Sequence, residues 1–369
     1  MIKFLDLQWQ YRSIQTEIDA AISKVIEEAA FVGGRHVSAF ELQFGKFMQA
    51  SHCIGVGNGT DALEIAIEAL NLPQGSEIIV PGNSFIATSE AVTRCGHRVV
   101  FADVDPDCYT LEAESVRAKL SDRTAAIIPV HLYGHPCDMD ALGAVAVKHG
   151  LKIIEDCAQA HGAEFKGRRV GTIGDFGTFS FYPGKNLGAY GDAGAIITNN
   201  ETLASKVRML ANHGRIEKYD HKFEGRSSRL DGMQAAILST KLDHLDRWTE
   251  QRIALANRYL DRLQGIPGLV LPARRNWARH VYHLFVVRCN ERDALAAHLK
   301  DCGIQTGIHY PIALPKLQAY ASLGQAHDDL FVNRSDAQLL SLPIGEHMSI
   351  ADVDEVARAI REFFGGKCA

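Results

Sequence analysis

Seven short runs rich in apolar and β-branched residues alternate with helix-length stretches between residues 53 and 198, and this alternation most constrains the fold. The runs are Cys53–Gly57, Glu77–Pro81, Arg98–Val104, Ala125–Leu132, Leu151–Cys157, Thr178–Tyr182 and Ala195–Thr198. Several hold unbroken apolar stretches, such as Ile127-Ile128-Pro129-Val130. A strand with one wet face alternates apolar and polar residues, whereas an unbroken run needs a sheet covered on both faces. Between the runs, Thr60–Leu70, Ser84–Cys95, Glu112–Leu120 and Asp138–His149 have the length and pattern of crossover helices. The expected fold class is therefore α/β, a mostly parallel seven-stranded sheet with helices on both faces. No helical stretch lies between Phe176 and Thr198, so a long loop should join the last two strands.

The flanks are helical. Ile14, Ile18, Ala21, Ile22, Val25 and Ile26 recur at helical spacing and predict one helix ended by Gly33-Gly34. Phe40, Phe44 and Phe47 mark a second, short one. Beyond the sheet, Leu230, Met233, Ile237, Leu238, Leu242 and Leu245 begin a long helical stretch, with no glycine between Gly232 and Gly265. It reads as the link into a smaller α+β domain. That domain should have strands near His283–Val287 and Gln305–His309, and helices near Arg292–Cys302 and Ile350–Phe364. The division is 1–245 for a large domain with the N-terminal helices and 246–369 for the small one.

Composition narrows the partners. Lys and Arg number 39 against 44 Asp and Glu, a net charge of −5. That balance gives no reason to expect nucleic acid or a membrane surface as partner. No apolar run approaches the roughly 18 residues of a membrane helix. Asp6, Glu17, Asp19 and Lys24 interrupt anything resembling a signal peptide. Eight cysteines, at 53, 95, 108, 137, 157, 289, 302 and 368, form no CxxC pair. They read as reduced thiols of a cytoplasmic protein.

In open α/β sheets ligands bind beyond the carboxyl ends of the strands, so the loops after each run carry the chemistry. Gly55-Val-Gly-Asn-Gly59-Thr60-Asp61 runs straight into a helix, where free amides and the helix dipole attract an anion. A tight turn in which Thr60 or Asp61 caps the helix is an equal alternative. Ile153-Ile-Glu-Asp156 ends an apolar strand in a carboxylate, fit to meet a bound cation or merely to cap the next turn. Phe179-Ser180-Phe-Tyr182-Pro-Gly-Lys185 sets a lysine among aromatic and small residues, in a loop with glycines at 184, 188, 191 and 194. Such surroundings lower a lysine pKa and make its amine a nucleophile toward carbonyls. An anion cradle, a strand-end carboxylate and a Schiff-base lysine are together what pyridoxal phosphate needs, and Phe85 supplies a stacking plane. His131, His135 and Cys137 lie close in sequence, but the turn between them need not converge, and no metal site is expected.

These motifs make the chain resemble the DegT/DnrJ/EryC1/StrS sugar aminotransferases of the fold-type I pyridoxal-phosphate class. The likeness runs from Phe4-Leu-Asp-Leu through Asn58-Gly-Thr-Asp-Ala-Leu63 and Glu155-Asp-Cys-Ala-Gln-Ala-His-Gly-Ala163. It continues through the Lys185 loop and Arg229-Leu-Asp-Gly-Met-Gln-Ala-Ala236 to Gly307-Ile-His-Tyr-Pro311. The resemblance implies that Lys185 bonds the cofactor and moves the proton, while Asp156 pairs with its ring nitrogen. Gln159 would lie near the ring hydroxyl and Phe85 would stack on the ring. Gly59, Thr60 and Ser180 would hold the phosphate, helped by a partner subunit's segment in which Ser227 replaces the usual asparagine. The lysine loop is closest to the branch that aminates the C3 ketone of a nucleotide-linked hexose, typically a dTDP-3-oxo-6-deoxyhexose, with UDP sugars also in range. Tyr182, Lys218, His309 and Tyr310 would then contact that substrate. L-glutamate would donate the amino group, carried as pyridoxamine phosphate, in a homodimer with interface active sites. C4-keto-sugar or cyclitol amination and a non-catalytic regulator are the alternatives. A dehydratase is not expected, because its lysine would be a histidine.

Overall fold

The structure, a computed structural model, describes residues 1–365, so Cys368 and the end of the expected small domain lie outside the described residues. All seven expected strands form: β1 (His52–Val56), β2 (Glu77–Pro81), β3 (Arg98–Ala102), β4 (Thr124–Ile127), β5 (Lys152–Asp156), β6 (Phe176–Ser180) and β7 (Gly194–Thr198). They build one sheet in the order β1-β7-β6-β5-β4-β2-β3. The run β6-β5-β4-β2-β3 is parallel, whereas β7 is antiparallel to both its neighbours. The missing helix explains this reversal. A parallel return needs a crossover, and the loop 181–193 instead sends the chain straight back beside β6.

Apolar runs without alternation are used as expected. In β5, Ile153 packs into a core with Phe40, Phe44 and Phe179, while Ile154 packs into the opposite core with Ile65, Val80 and Phe101. Each such buried side chain contributes about 1.5–3 kcal/mol of transfer free energy. The helices lie near their expected places: α4 (Gly59–Leu70), α5 (Ala87–Arg94), α6 (Ala113–Ala118) and α7 (Met139–His149), with α8 (Glu201–Ala211) after β7. The helix expected from Ile14–Ile26 forms as α2 (Gln15–Glu27), but it ends at Glu27 and Gly33 instead precedes the next helix. An unexpected helix, α1 (Leu7–Ser13), comes before it, capped by Asp6, which accepts the Trp9 amide at 3.0 Å. The phenylalanine helix, α3, is also longer than expected, at Gly34–Met48.

The long helix α9 spans Gly232–Leu263 and runs unbroken past residue 245. Its first half supplies Leu238, Leu242 and Leu245 to the large core. Its second half supplies Leu255, Ala256, Tyr259 and Leu263 to a separate cluster with Phe285, Leu299 and Ile360. There, strand Phe285–Arg288 pairs antiparallel with Leu339–Leu342, flanked by helices Arg292–Asp301 and Ile350–Gly365. The strand expected at Gln305–His309 does not form. Ile304 bridges Ile2 and Gly307 bridges Ser341, so the segment crosses between two partners and never runs beside one. Cys53, Cys95, Cys108, Cys137, Cys157 and Cys302 form no disulfide, and no described helix is long and apolar enough to cross a membrane.

Candidate active site

A cavity of about 1380 Å³ lies at the carboxyl ends of β5 and β6. Gly59, Thr60, Phe85, Asp156, Gln159, Ser180, Tyr182, Lys185, Ser227, His309 and Tyr310 all line it. Lys218 does not.

Strand β5 ends in two successive carboxylates, and the two-residue period sends them to opposite faces. Glu155 accepts the amides of Gly171, Ile173 and Gly174 at 2.7–2.8 Å and the Nε2–H of His131 at 3.0 Å. Asp156 faces the cavity, and among the described residues its side chain accepts two donors, Thr88 Oγ1 at 2.8 Å and the Ala158 amide at 3.1 Å. Each oxygen therefore keeps a lone pair for something else. Thr88 has one hydrogen and gives it to Asp156, so Ser84 must donate to Thr88 across their 2.7 Å contact. Burial pushes the Asp156 carboxyl up, while Thr88, Ala158, Lys185 and His131 pull it down. A cation beside those open lone pairs would offset the burial.

Lys185 lies in the loop between β6 and β7. A side chain at Gly188 would collide with the Pro183 carbonyl, so the loop can tighten there only on glycine. Lys241, wholly buried on α9, holds the same glycine by donating Nζ to its carbonyl at 2.7 Å. Asn186 is held from the other side by the Val281 carbonyl and His283. Among the described residues nothing bonds the Lys185 Nζ. Burial lowers its pKa to about 8, with Asp156 opposing the fall. About a tenth of such an amine is unprotonated at pH 7, against less than about a thousandth for an ordinary lysine, and the unprotonated form can attack a carbonyl.

The helix after the glycine loop is capped by Asn58, whose Oδ1 accepts the Asp61 amide at 2.8 Å. That corrects the expectation of a Thr60 or Asp61 cap. Asp61 instead accepts Ser228 Oγ at 2.6 Å, and Ser228 Oγ accepts the Gly57 amide at 3.0 Å. The amides of Gly59 and Thr60 open the helix with no preceding turn to bond, and no loop group takes them. A Cβ on Gly59 would lie 2.7 Å from that of Ser180, so only glycine lets the helix start touch the end of β6. Two free amides beside a hydroxyl make an anion cradle.

Gln159 accepts the Tyr133 amide at 2.7 Å and donates to the Tyr310 hydroxyl at 3.1 Å. The Phe85 ring stands 5.9 Å from that of Tyr310 and is 55% exposed, an open face in a cavity wall. Tyr133, held by Asn83, donates its hydroxyl to the His309 carbonyl. His309 Nδ1 meets Ser341 Oγ at 2.8 Å, and burial lowers its pKa to about 4. Ser227 sits at the rim and accepts from Arg229 at 3.1 Å; its neighbour Ser228 reaches the glycine loop. Lys218 stands at the tip of an exposed hairpin, β8 (Arg215–Glu217) with β9 (Asp220–His221), its Nζ over Tyr219. Within this chain it is not brought to the other candidates.

Several site residues were not anticipated from sequence. Ser84 and Thr88 are four apart, as two residues on one helical face are, and that signal was readable. So was Lys241, a lysine on the apolar stripe between Leu238 and Leu245. His283 carried no local signal. The histidine-cysteine motif resolves into separate bonds: His131 to Glu155 and the Cys137 amide, His135 to the Pro136 carbonyl, and Cys137 Sγ to the Val130 carbonyl. His131, Glu155 and Cys157 place ligand atoms within 4.8 Å of one another, but the histidine and carboxylate are already fully bonded and burial holds the thiol protonated.

A profile described as the DegT/DnrJ/EryC1/StrS aminotransferase family matches residues 12–361. The chain is 45% identical over 361 residues to the erythromycin biosynthesis sensory transduction protein EryC1 of Saccharopolyspora erythraea, covering 98% of this chain and 99% of that one. It is 44% identical over 365 residues to the dTDP-3-amino-3,4,6-trideoxy-alpha-D-glucose transaminase of Streptomyces venezuelae, covering 98% and 96%. Among solved structures it is similar to the crystal structure of S. venezuelae DesV in complex with a ketimine intermediate. That match has a TM-score of 0.96 at 44% identity and covers 98% of each chain.

Proposed function

The chain belongs to the DegT/DnrJ/EryC1/StrS aminotransferase family, and on that premise we propose that it moves an amino group from L-glutamate to the C3 ketone of a nucleotide-linked keto-sugar. It is a pyridoxal-phosphate-dependent sugar aminotransferase. The substrate assigned is a dTDP-3-oxo-6-deoxyhexose, with a 3-amino sugar and 2-oxoglutarate as products. One observation carries the reading: an unbonded, half-buried lysine amine shares a cavity with a buried carboxylate that keeps free lone pairs. The amino-sugar product named for the S. venezuelae relative supports the C3 position and the dTDP group.

The cavity residues fit the cofactor. Gly59 and Thr60 offer two unbonded amides for a phosphate, and Asp156 offers open lone pairs to a ring N–H. When bound, pyridoxal phosphate supplies an aldehyde that bonds amines and a ring that takes up the electron pair left when a proton leaves the substrate carbon. Lys185 is assigned to hold that aldehyde at rest and, once displaced, to carry the proton on Nζ. Asp156 would keep the ring nitrogen protonated. The Gly59 and Thr60 amides and the Ser180 hydroxyl would hold the phosphate, and Phe85 and Gln159 would hold the ring. Tyr182, His309 and Tyr310 line the sugar side.

The assembly in this reading is a homodimer. The exposed hairpin carrying Lys218 would serve the cavity of the other protomer, since Lys218 does not line its own, while Ser227 stands at the rim of its own cavity, from which the family resemblance would have it reach the partner's phosphate. The division at 245/246 belongs to the same reading, supported by the change of apolar cluster along α9 between Leu245 and Leu255. A cytoplasmic location accords with the free thiols of Cys53, Cys95, Cys108, Cys137, Cys157 and Cys302.

The test is to supply the holoenzyme and L-glutamate with dTDP- and UDP-linked 3- and 4-keto sugars and read the products by NMR. Amination at C3 of the dTDP sugar is expected; amination at C4 alone would overturn the position. The name of the S. erythraea relative, a sensory transduction protein, favours as a second reading a regulator, here one that would hold the cofactor without turnover. Bleaching of the visible cofactor band by L-glutamate would speak against that, and a band that glutamate leaves unchanged would overturn the transaminase assignment.

A further inference from the structure

A second unbonded nitrogen faces the cavity that holds the Lys185 amine, and it belongs to His283. The His283 Nδ1 lies 3.0 Å from the side-chain oxygen of Asn186, the residue next to the lysine. That amide cannot be turned around, because its nitrogen donates to the Val281 carbonyl at 3.1 Å. An oxygen can only accept, so the His283 proton sits on Nδ1 and Nε2 is left as a lone pair. No described group bonds Nε2, and it is not among the buried polar atoms without a partner, so it opens on the cavity. Burial, with Lys185, Arg252, His309 and His161 nearby, keeps the ring neutral.

The neighbours leave His283 as the one cavity histidine with a fixed tautomer. Arg252 can only donate, and it is engaged with the carbonyls of Tyr282, His283 and Ile344 and with Glu346. The Tyr310 hydroxyl accepts from Gln159, and His309 faces a Ser341 hydroxyl that can give or take. His161 gives its Nε2–H to the Ser180 carbonyl and does not line the cavity. Asp156, the carboxylate that opposes the fall of the Lys185 pKa, is the ring-nitrogen partner in the reading above.

We propose that His283 is a positioning residue: when the Lys185 amine, unbonded in this structure, is released from the cofactor and its stem rotates toward His283, Nε2 accepts a hydrogen bond from it. This rests on the assignment of Lys185 made above. A free amine on a flexible stem carries two N–H bonds and one lone pair, and rotation spreads the lone pair over many directions. Fixing one N–H on Nε2 limits that rotation and aims the lone pair into the cavity. The bond strengthens when the amine takes up a proton, because charged donors bond more strongly.

The experiment follows covalent capture of pyridoxal phosphate by the full-length apoenzyme as a function of pH, by visible absorbance and by mass after borohydride reduction. The wild-type midpoint should lie near 8. His283→Asn keeps the Nδ1-type donor toward Asn186 and deletes the cavity acceptor, so its midpoint should fall by about half a unit to one unit. His283→Gln returns an amide oxygen at the Nε2 position and should stay near wild type. An unshifted His283→Asn midpoint, or equal shifts in the two variants, overturns the proposal. Lys185→Ala separates the two readings: a borohydride-stable adduct in that variant defeats the lysine assignment, whereas its loss leaves only His283 under test. If His283→Asn does not fold, histidine-selective 15N NMR of the wild-type apoenzyme decides. An Nδ1–H tautomer whose Nε2 resonance moves in Lys185→Ala supports the proposal, and an Nε2–H tautomer or an unmoved resonance defeats it.

Discussion

Glu155 and Asp156 are neighbours in one strand, both buried and both carboxylates, yet the two faces of the sheet treat them oppositely. Behind the sheet, Glu155 takes three amides and an imidazole N–H, and nothing is left to bind a ligand. On the cavity side, Asp156 takes one hydroxyl and one amide and stays half-satisfied beside an unbonded lysine. A carboxylate that the protein satisfies fully serves the fold, and one that it leaves open serves a ligand. The second state is stable only because of what comes to bind, since an unpaired buried charge is costly.

Four substitutions test that contrast. Lys185→Ala should have the largest effect, a loss of at least about a thousandfold in steady-state transamination with thermal stability nearly unchanged. Asp156→Asn should come next. It should lower the rate by about a hundredfold to a thousandfold, as removal of a placed electrostatic group does. Its melting temperature should hold or rise, because a half-satisfied charge is gone. Glu155→Gln should do the reverse. An amide NH2 would face N–H donors, and urea unfolding should report a loss of about 3–5 kcal/mol. A stable but inactive Glu155→Gln, or an unfolded Asp156→Asn, would break the comparison. Ser227→Asn should change least. The longer amide should tighten retention of the cofactor by about threefold in a dilution assay, one added hydrogen bond's worth, with stability unmoved. Equal retention would remove residue 227 from the phosphate site.

Much of this was legible in the chain. Unbroken apolar runs such as Ile127–Val130 can only sit in a doubly covered sheet, so the seven strands were readable to within a few residues. Asp156, Lys185 and the Gly59 loop were readable because a ligand site in such a fold must follow the strands. The segment at 305–309 misled because β-like local composition says nothing about whether a continuous neighbour exists, and here Ile2 and Ser341 each take one residue. Which cavity Lys218 faces was not legible either. A lysine in a polar loop looks the same whether its hairpin folds over its own cavity or away from it.

By itself the sequence determined the alternation of strand and helix, the residues at the strand ends, and hence the kind of chemistry available. These rest on local spacing, because the periods of strand and helix are set within a few residues. Only the tertiary structure decided which of two adjacent carboxylates stays open, which nitrogen of His283 holds the proton and where Lys218 stands. Those outcomes depend on hydrogen-bond partners far away in the chain, 24 residues for His131 with Glu155 and 97 for His283 with Asn186. A hydrogen bond is satisfied or left open by geometry at a distance of a few ångströms, and no local pattern encodes which distant group will arrive there.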